Sequence, residues 1–541
     1  MENTVDNTPV NQENLNNELG TLEQEIPELV LRILKTYRKN TGSTCILRER
    51  LIDMALAEVG RDGAVSDQLR DEIRAATDQV QLGIEKIVVG GQEYCGLDDD
   101  FSDERRLLEF FNDFCFGAKT IRLDNKDIER TAKRVAKKKG VKLTSDQLNA
   151  VKTALTAGIS VLSGGPGSGK TFVIDTIIRV VESLNKGAEI LLAAPTGKAA
   201  QRLQEATGRP AKTVWRMLGI HHEWELRGIT GRKLSADLVI VDEASMLDLA
   251  VTKRLFNMLA PSATLVLVGD SDQIPSVSPG AVLRDFEQSG AVQTVRLKNS
   301  FRQVVGAEEI MSYANAVKAT GCMAVFPFFR STTLQNTVHF VRVDSAEDLC
   351  DGAASVMKEL HANLGYSYKD IQVLSPAKEN SSGTQALNKA LAEMVNPGPR
   401  ESRAFLPGDR VVCTKNCYVE DVMNGQIGEV LFLGKNRHVT VRFDRGVAEL
   451  TEGNLSLAYA LTVHKAQGSQ YPVIVLVLHQ SMGNALSKAV FYTALTRAQE
   501  KVVVVGSVRG VMKAMTADRN AERMTLLAHR LQETDALAKA V

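Results

Sequence analysis

The hydrophobic pattern of this chain changes period along its length. From Glu23 to about Phe116 apolar residues recur at helical spacing, as in "LVLRILKTY" and "RERLIDMALAEVG". A short "IEKIVVGGQEYCGL" then reads as a β-hairpin turned at Gly90-Gly91. Helices with a small hairpin fit either a winged-helix-like domain over residues 23–118 or an unspecialised helical cap. From about Thr144 to Gly506 the pattern becomes short apolar runs separated by helical stretches. "SVLSGG", "EILLAAPTG", "DLVIVDEAS", "TLVLVGDSD", "IQVLSPAK", "VIVLVLHQ" and "KVVVVGS" are β-branched and apolar on both faces. Such runs belong to parallel sheets covered by helices on either side. The expected fold is therefore α/β, with one sheet domain at 144–298 and a second at 299–404 and 456–512. Residues 405–455 break that rhythm. Their short strands "DRVVCTKN", "GQIGEVLFLG" and "HVTVRFD" predict a small β-barrel inserted into the second domain. Residues 1–22 read as an acidic solvated tail, 119–143 as a basic linker helix and 513–541 as a C-terminal helix.

Composition narrows the class. No run of about 20 apolar residues is present, which excludes a spanning helix. The acidic, Asn-rich N-terminus does not read as a secretory signal. Seven cysteines are scattered; Cys413 and Cys417 form the only close pair and lack the second pair a zinc site needs. A cytoplasmic, nucleoid-associated protein is expected. The formal net charge is zero, so any contact with nucleic acid must be local rather than a bulk effect. The Lys- and Arg-rich "KRVAKKKGVK" is either a solvated helix face or a stripe that contacts phosphates.

Gly164 to Thr171, "GGPGSGKT", satisfies G-x-x-x-x-G-K-[ST] after a predicted strand and before a predicted helix. Gly164, Gly165, Gly167 and Gly169 allow the backbone to turn its N–H groups inward around phosphate oxygens. The nucleotide loop is expected to comprise Gly165, Pro166, Gly167, Ser168, Gly169, Lys170, Thr171 and Phe172. Lys170 is expected to bridge the β- and γ-phosphates of ATP and Thr171 to coordinate Mg²⁺. "LVIVDEAS" delivers Asp242 and Glu243 to the carboxyl end of another strand. Asp242 is the second candidate for the Mg²⁺ shell. Glu243 is the candidate to orient and deprotonate the attacking water.

Other strand ends carry "AAPTGKAAQRL", "LVGDSDQIPSVSPGAVL" with Gln273, "RLKNSFRQ" with Arg302, "AYALTVHKAQGSQ" and "FYTALTRAQE" with Arg497. A GTPase or kinase does not need a second sheet domain presenting arginines; a motor whose two sheets close around one nucleotide does. Across Leu143 to Gly506 the sequence resembles superfamily 1 helicases of the 5′ to 3′ RecD-like class, with the main motifs in order. The resemblance implies two RecA-like motor domains, an SH3-like insertion at 405–455, and an ATP- and Mg²⁺-dependent enzyme. Its implied substrates are single-stranded DNA and duplex with a 5′ single-stranded tail, met by a monomer. It also implies roles for residues. Gln147 would read the adenine edge, and Gln470 would lie in the nucleotide site. Arg302 and Arg497 would act as arginine fingers, with Gln273 coupling the phosphate site to DNA. Thr196, Lys198, Thr213, Trp215, Thr462, His464 and Lys465 would line the strand channel. A duplex-splitting pin would occupy about 219–234.

Two positions depart from the family pattern. Trp215 stands where Thr-x-His-Arg would place histidine, and either stacks on a base or packs in the core. Gln470 stands where Glu is common, which weakens a charge-based contact to the ribose. Two functions remain in view at this point: a helicase of DNA repair or recombination, and a translocase that feeds a partner nuclease. No nuclease carboxylate cluster is legible, and His221-His222 is the only close histidine pair.

Overall fold

A computed structural model describes residues 12–59, 67–116, 119, 121–220, 233–299, 301, 307–320, 334–400, 403–417 and 419–540. The apolar runs form two parallel sheets. In the first lobe the strands lie in the order Ala211–Thr213, Ile190–Ala194, Leu238–Val241, Thr264–Gly269, Ile159–Gly164, Gln293–Leu297. Every pairing is parallel. Ile159–Gly164, Leu238–Val241 and Thr264–Gly269 are buried at every position, the signature of strands covered on both faces. Ser163 pairs with Gly269 and Val241 with Leu267, so Gly164, Asp242 and Asp270 emerge together at the carboxyl edge. That edge is where open α/β sheets bind ligands.

The second lobe repeats the plan in the order Val338–Arg342, Ala498–Gly506, Tyr471–Leu478, Ile371–Ser375, Ala460–Thr462, again wholly parallel. Between Ile371–Ser375 and Ala460–Thr462 the chain leaves to form a five-stranded antiparallel sheet, Arg410–Cys413 through Leu455–Leu457. Its own core contains Val411, Val430, Val439 and Val441. Buried Asp409 anchors this insertion: it accepts from Arg400, from the Asn396 amide at 2.9 Å and from the Tyr459 hydroxyl at 3.1 Å.

The N-terminal domain runs helix Gln12–Thr41, strand Cys45–Leu47, helices Arg48–Val59 and Asp67–Ala76, and strands Ile84–Val89 and Gln92–Leu97. This is the element order of a winged helix, with the strand Gln92–Leu97 central in its small sheet. Gly90 and Gly91 have φ of 58° and 79°, the left-handed pair that a two-residue hairpin turn demands. The first helix begins at Gln12, inside the stretch expected as a tail. Helix Asp98–Phe116 then inserts Leu107, Phe111 and Phe114 into the core of the first lobe. The basic stretch becomes helix Asn125–Lys138, whose Ile128, Ala132, Val135 and Ala136 pack inward while its lysines face out.

Beyond the second lobe the chain is not one helix. After Val508–Thr516 a short helix Arg519–Glu522 crosses back to the first lobe, and Leu527–Ala540 packs Leu527 and Leu531 into that lobe's core. Arg523 secures the crossing. Its guanidinium donates to Gly42 O at 2.9 Å and Ser276 O at 2.7 Å, and also to Ser278 O. Thr44 N donates to Met524 O at 2.9 Å, adding a backbone bond between the two ends of the fold.

Candidate functional site

The glycine-rich loop sits between the fully buried strand Ile159–Gly164 and helix Lys170–Leu184. Gly167 and Gly169 adopt φ of 75° and 86°, which turns successive N–H groups to one side. A β-carbon on Gly169 would lie 2.7 Å from the Gln147 amide nitrogen, and one on Gly164 would lie 2.7 Å from Ser168 Oγ. Side chains at these positions would fill the cradle. Ser168 Oγ is buried with no hydrogen-bond partner among the described residues. Lys170 Nζ donates to Gly164 O at 2.6 Å and Gly165 O at 3.1 Å, so the ammonium lies over the loop. Pro166 is buried, Thr171 is exposed at the first helical turn, and Phe172 is half-buried with Lys139 Nζ 6.0 Å from its ring centroid.

Gln147 caps its own helix. Its Oε1 accepts from Thr144 N at 3.2 Å while Thr144 Oγ1 accepts from Gln147 N, a reciprocal capping box. Its amide nitrogen reaches Ser168 O at 3.5 Å. The side chain therefore ties the helix N-terminus to the phosphate loop.

Asp242 and Glu243 follow strand Leu238–Val241. Asp242 N donates to Ala193 O at 2.9 Å and Asp242 Oδ1 accepts from Glu243 N at 2.9 Å. Burial first, and then the neighbouring Glu243 carboxylate, push the Asp242 pKa above the usual carboxylate range; the nearby Lys170 opposes them. Glu243 has φ 53° and ψ 38°, a left-handed conformation that costs a residue with a β-carbon of order 1 kcal/mol or more. Its carboxylate is near enough to Arg497 of the second lobe to act on that residue's charge.

The second lobe closes on this edge. Arg497, 3% exposed, donates from Nη2 to Gln273 Oε1 at 3.2 Å, from Nη1 to Ser469 O at 3.3 Å and from Nε to Thr493 O at 3.1 Å. Burial pulls its pKa below the usual guanidinium value, and the Glu243 carboxylate works against that. Ile274 N donates to Thr493 Oγ1 at 3.0 Å and Ile274 O accepts from the Gln467 amide at 2.9 Å. Arg202 donates to Gly468 O at 2.8 Å. Phe301 N donates to Gly167 O at 2.8 Å, so the chain that leads into Arg302 is laid across the phosphate loop. Arg302 itself, and residues 221–232 of the expected pin, fall outside the described residues. Gln470 is half-buried between Ser469 and Tyr471, both bonded through their backbones to Arg497.

The channel candidates share one device. Thr196, Thr213 and Thr462 each accept a backbone N–H three residues on, from Ala199, Arg216 and Lys465 at 3.2, 3.1 and 3.2 Å. An N-capping hydroxyl used as acceptor keeps its proton to give, next to the positive end of a helical turn. His464 and Lys465 are exposed, yet surrounding protein pushes both pKa values below their usual ranges; for Lys465 the second cause is Lys378. Lys198 is directed between the lobes, with Nζ 5.4 Å from the ring centroid of buried Tyr471. Trp215 packs, half-buried, against the first lobe's core.

An AAA domain model matches residues 147–279 and a UvrD-like helicase C-terminal domain model matches residues 457–505. An ATP-dependent RecD2 DNA helicase from Deinococcus radiodurans is 36% identical over 403 residues, covering 73% of this chain and 53% of that protein. The RecBCD enzyme subunit RecD of Mycobacterium tuberculosis is 31% identical over 436 residues, covering 72% of this chain and 73% of that subunit. The chain belongs to the RecD-like superfamily 1 helicases. It spans about half the length of the Deinococcus relative. A crystal structure of Bacteroides Pif1 helicase with ADP-AlF3 and ssDNA matches at TM-score 0.44 and 17% identity, covering 72% of this chain and 97% of that one.

Several residues of this RecD-like chain that join the lobes were not singled out by sequence reasoning: Arg202, Gln467 and Thr493, although each stands inside a quoted motif, and, on the crossing segment, Asn520, whose amide donates to Gln273 O at 3.1 Å. Each contacts backbone or a single polar atom, and no periodicity marks such a role. One signal was available and was averaged away. Residues 1–116 carry 24 acidic and 12 basic side chains, whereas residues 117–541 carry 41 acidic and 53 basic ones. The zero net charge of this RecD-like protein is the sum of an acidic N-terminal region and a basic remainder that holds both sheet lobes.

Proposed function

We propose that the chain is an ATP-driven motor that moves 5′ to 3′ along single-stranded DNA and separates duplex, in DNA repair or recombination. The observation that carries this reading is the bond from Arg497 of the second lobe to Gln273 of the first, at the edge where the phosphate loop, Asp242 and Glu243 converge. A site assembled from two bodies converts hydrolysis into relative motion.

The cradle fits a phosphate chain: two left-handed glycines, a buried Ser168 hydroxyl with no partner among the described residues, and no room for β-carbons at Gly164 or Gly169. When bound, ATP and Mg²⁺ supply the cleavable anhydride and neutralise its charge. Lys170 exchanges the carbonyls of Gly164 and Gly165 for the β- and γ-phosphates. Thr171 and Asp242 would hold Mg²⁺, Glu243 would orient and deprotonate the attacking water, and Arg302 and Arg497 would stabilise the charge that develops. Gln147 reads the adenine edge after yielding its contact with Ser168 O. Thr196, Thr213, Thr462 and Lys465 grip the strand through its phosphates, which gives affinity without sequence preference.

The second reading, a translocase subunit that serves a partner nuclease, is favoured by the likeness to a protein named as a subunit of the RecBCD enzyme. Duplexes with a 5′ or a 3′ single-stranded tail separate the possibilities. Unwinding from the 5′ tail by the chain alone is expected. Preference for the 3′ tail overturns the polarity, and ATP-driven translocation without unwinding supports the subunit reading.

A further inference from the structure

We propose that Tyr492 is a positioning residue for nucleotide cleavage: through Asp270 it fixes the amide of Gln273 so that its oxygen meets Arg497. The proposal rests on the ATPase reading above and adds a residue from the opposite lobe to it.

Tyr492 belongs to helix Lys488–Leu495 of the second lobe and is 1% exposed. Its hydroxyl leaves that lobe and donates to Asp270 Oδ2 at 2.8 Å, at the end of strand Thr264–Gly269 in the first. The same oxygen accepts the Gln273 amide nitrogen at 3.4 Å, and Gln273 Oε1 accepts Arg497 Nη2 at 3.2 Å. The four side chains form one relay that crosses between lobes twice. A carboxamide has one donor end and one acceptor end. Reversed, Gln273 would set its oxygen against a carboxylate and its NH₂ against a guanidinium, so Asp270 and Arg497 together dictate its orientation.

Asp270 is fully buried and depends on its hydrogen bonds. Among the described residues its other oxygen accepts only the Asp272 N–H, at 3.2 Å. Loss of the Tyr492 hydroxyl leaves Oδ2 with the long Gln273 contact alone, and the carboxylate is then free to pull the amide out of register with Arg497. Burial, and then Asp270, push the Tyr492 pKa well above its usual value, so the phenol stays a donor across the physiological range. Two further contacts place the ring at the centre of the cleft. A β-carbon on Gly165 would lie 3.3 Å from the Tyr492 hydroxyl, which shows how closely the second lobe approaches the phosphate loop. Lys318, on the helix Ala307–Thr320 that follows the Arg302 segment, holds its ammonium 5.1 Å from the ring centroid. A tyrosine that only fills the core has no use for this hydroxyl.

Tyr492→Phe, Gln273→Ala and the double variant are compared with the unsubstituted chain in steady-state ATP hydrolysis, with and without oligo(dT). The expected result for Tyr492→Phe is a fall in kcat of about tenfold, with KM for ATP within about twofold and a melting temperature lowered by only a few degrees, so that the loss is read in a folded protein. The double variant is expected to be no slower than Gln273→Ala alone, since both substitutions break one relay. Unchanged kcat in Tyr492→Phe, or losses that multiply in the double variant, overturn the proposal. If the unsubstituted chain hydrolyses ATP without stimulation by oligo(dT), the motor reading falls while the Tyr492 comparison still stands on basal turnover. Absence of hydrolysis overturns both.

Discussion

Arg497 and Gln273 lie 224 positions apart in sequence and meet at 3.2 Å across the two lobes. Neither is free to drift: Arg497 spends its other donors on Thr493, Ser469 and Thr496, and Gln273 is held by Asp270 and Asn520. Substituting Arg497 by Ala is expected to lower ATP turnover by roughly 10³-fold or more, the usual worth of an arginine finger. Single-stranded DNA binding without nucleotide should persist, measured by fluorescence anisotropy. A turnover loss below about tenfold would assign Arg497 to packing instead.

Residues 224–232 supply a separate test. Replaced by a tight turn, they should leave DNA-stimulated ATP hydrolysis intact and suppress strand separation. Unwinding at the rate of the unsubstituted chain refutes the pin.

Gly42 has φ 69°, and a β-carbon there would lie 2.0 Å from Arg523 Nη2. Gly42→Ala therefore meets both backbone strain and a clash, for a loss of about 2 kcal/mol or more. Arg523→Ala reaches the same junction from the other side: the Ser276 carbonyl loses the guanidinium, and the Gly42 carbonyl keeps only the Gly280 N–H at 3.0 Å. Limited proteolysis should release the N-terminal domain from both variants sooner than from the unsubstituted chain. Equal release times would show that the junction does not depend on these residues.

Glu104 predicts a pH dependence. Burial, first, and Asp285 raise its pKa from 4.5 to about 7, against Arg530, the Thr44 hydroxyl and the Leu526 N–H. A group raised on folding contributes stability that is complete below its unfolded pKa and is lost as pH rises through the folded value. This group's contribution should therefore fade between about pH 5 and pH 8. Hydrogen exchange in helix Leu527–Ala540 should accelerate from pH 6 to pH 8 beyond the intrinsic base-catalysed change. Glu104→Gln should remove that excess; its persistence would assign the effect to another group.

The two sheets were legible because strands covered on both faces are apolar at every position, as "LVIV" and "TLVLVG" are. The hairpin was legible because only a pair such as Gly90-Gly91 accepts two left-handed residues in succession without strain. The phosphate loop was legible because its chemistry needs neighbours in sequence. What stayed hidden were contacts made with carbonyl groups, which every residue owns. Arg523 binds three of them, and nothing in "ADRNAERMTL" distinguishes it from a solvated arginine. Tyr492 was hidden differently: as an aromatic in an apolar helix it reads as core, and only its hydroxyl partner says otherwise. The strand Ala211–Thr213 is too short for any periodicity to register.

Arg523 also changes what kind of machine the two lobes make. The chain crosses from the first lobe to the second near Phe301 and returns at Arg519–Glu522, where Asn520 and Arg523 fasten it. A pair of bodies joined once can swivel in any direction, whereas a pair joined at two separated points turns about the line between them, as a door does on two hinges. If the proposed motor cycle moves the lobes, their relative motion is thereby expected to favour one axis, and cutting the return crossing should turn directed swinging into wobble.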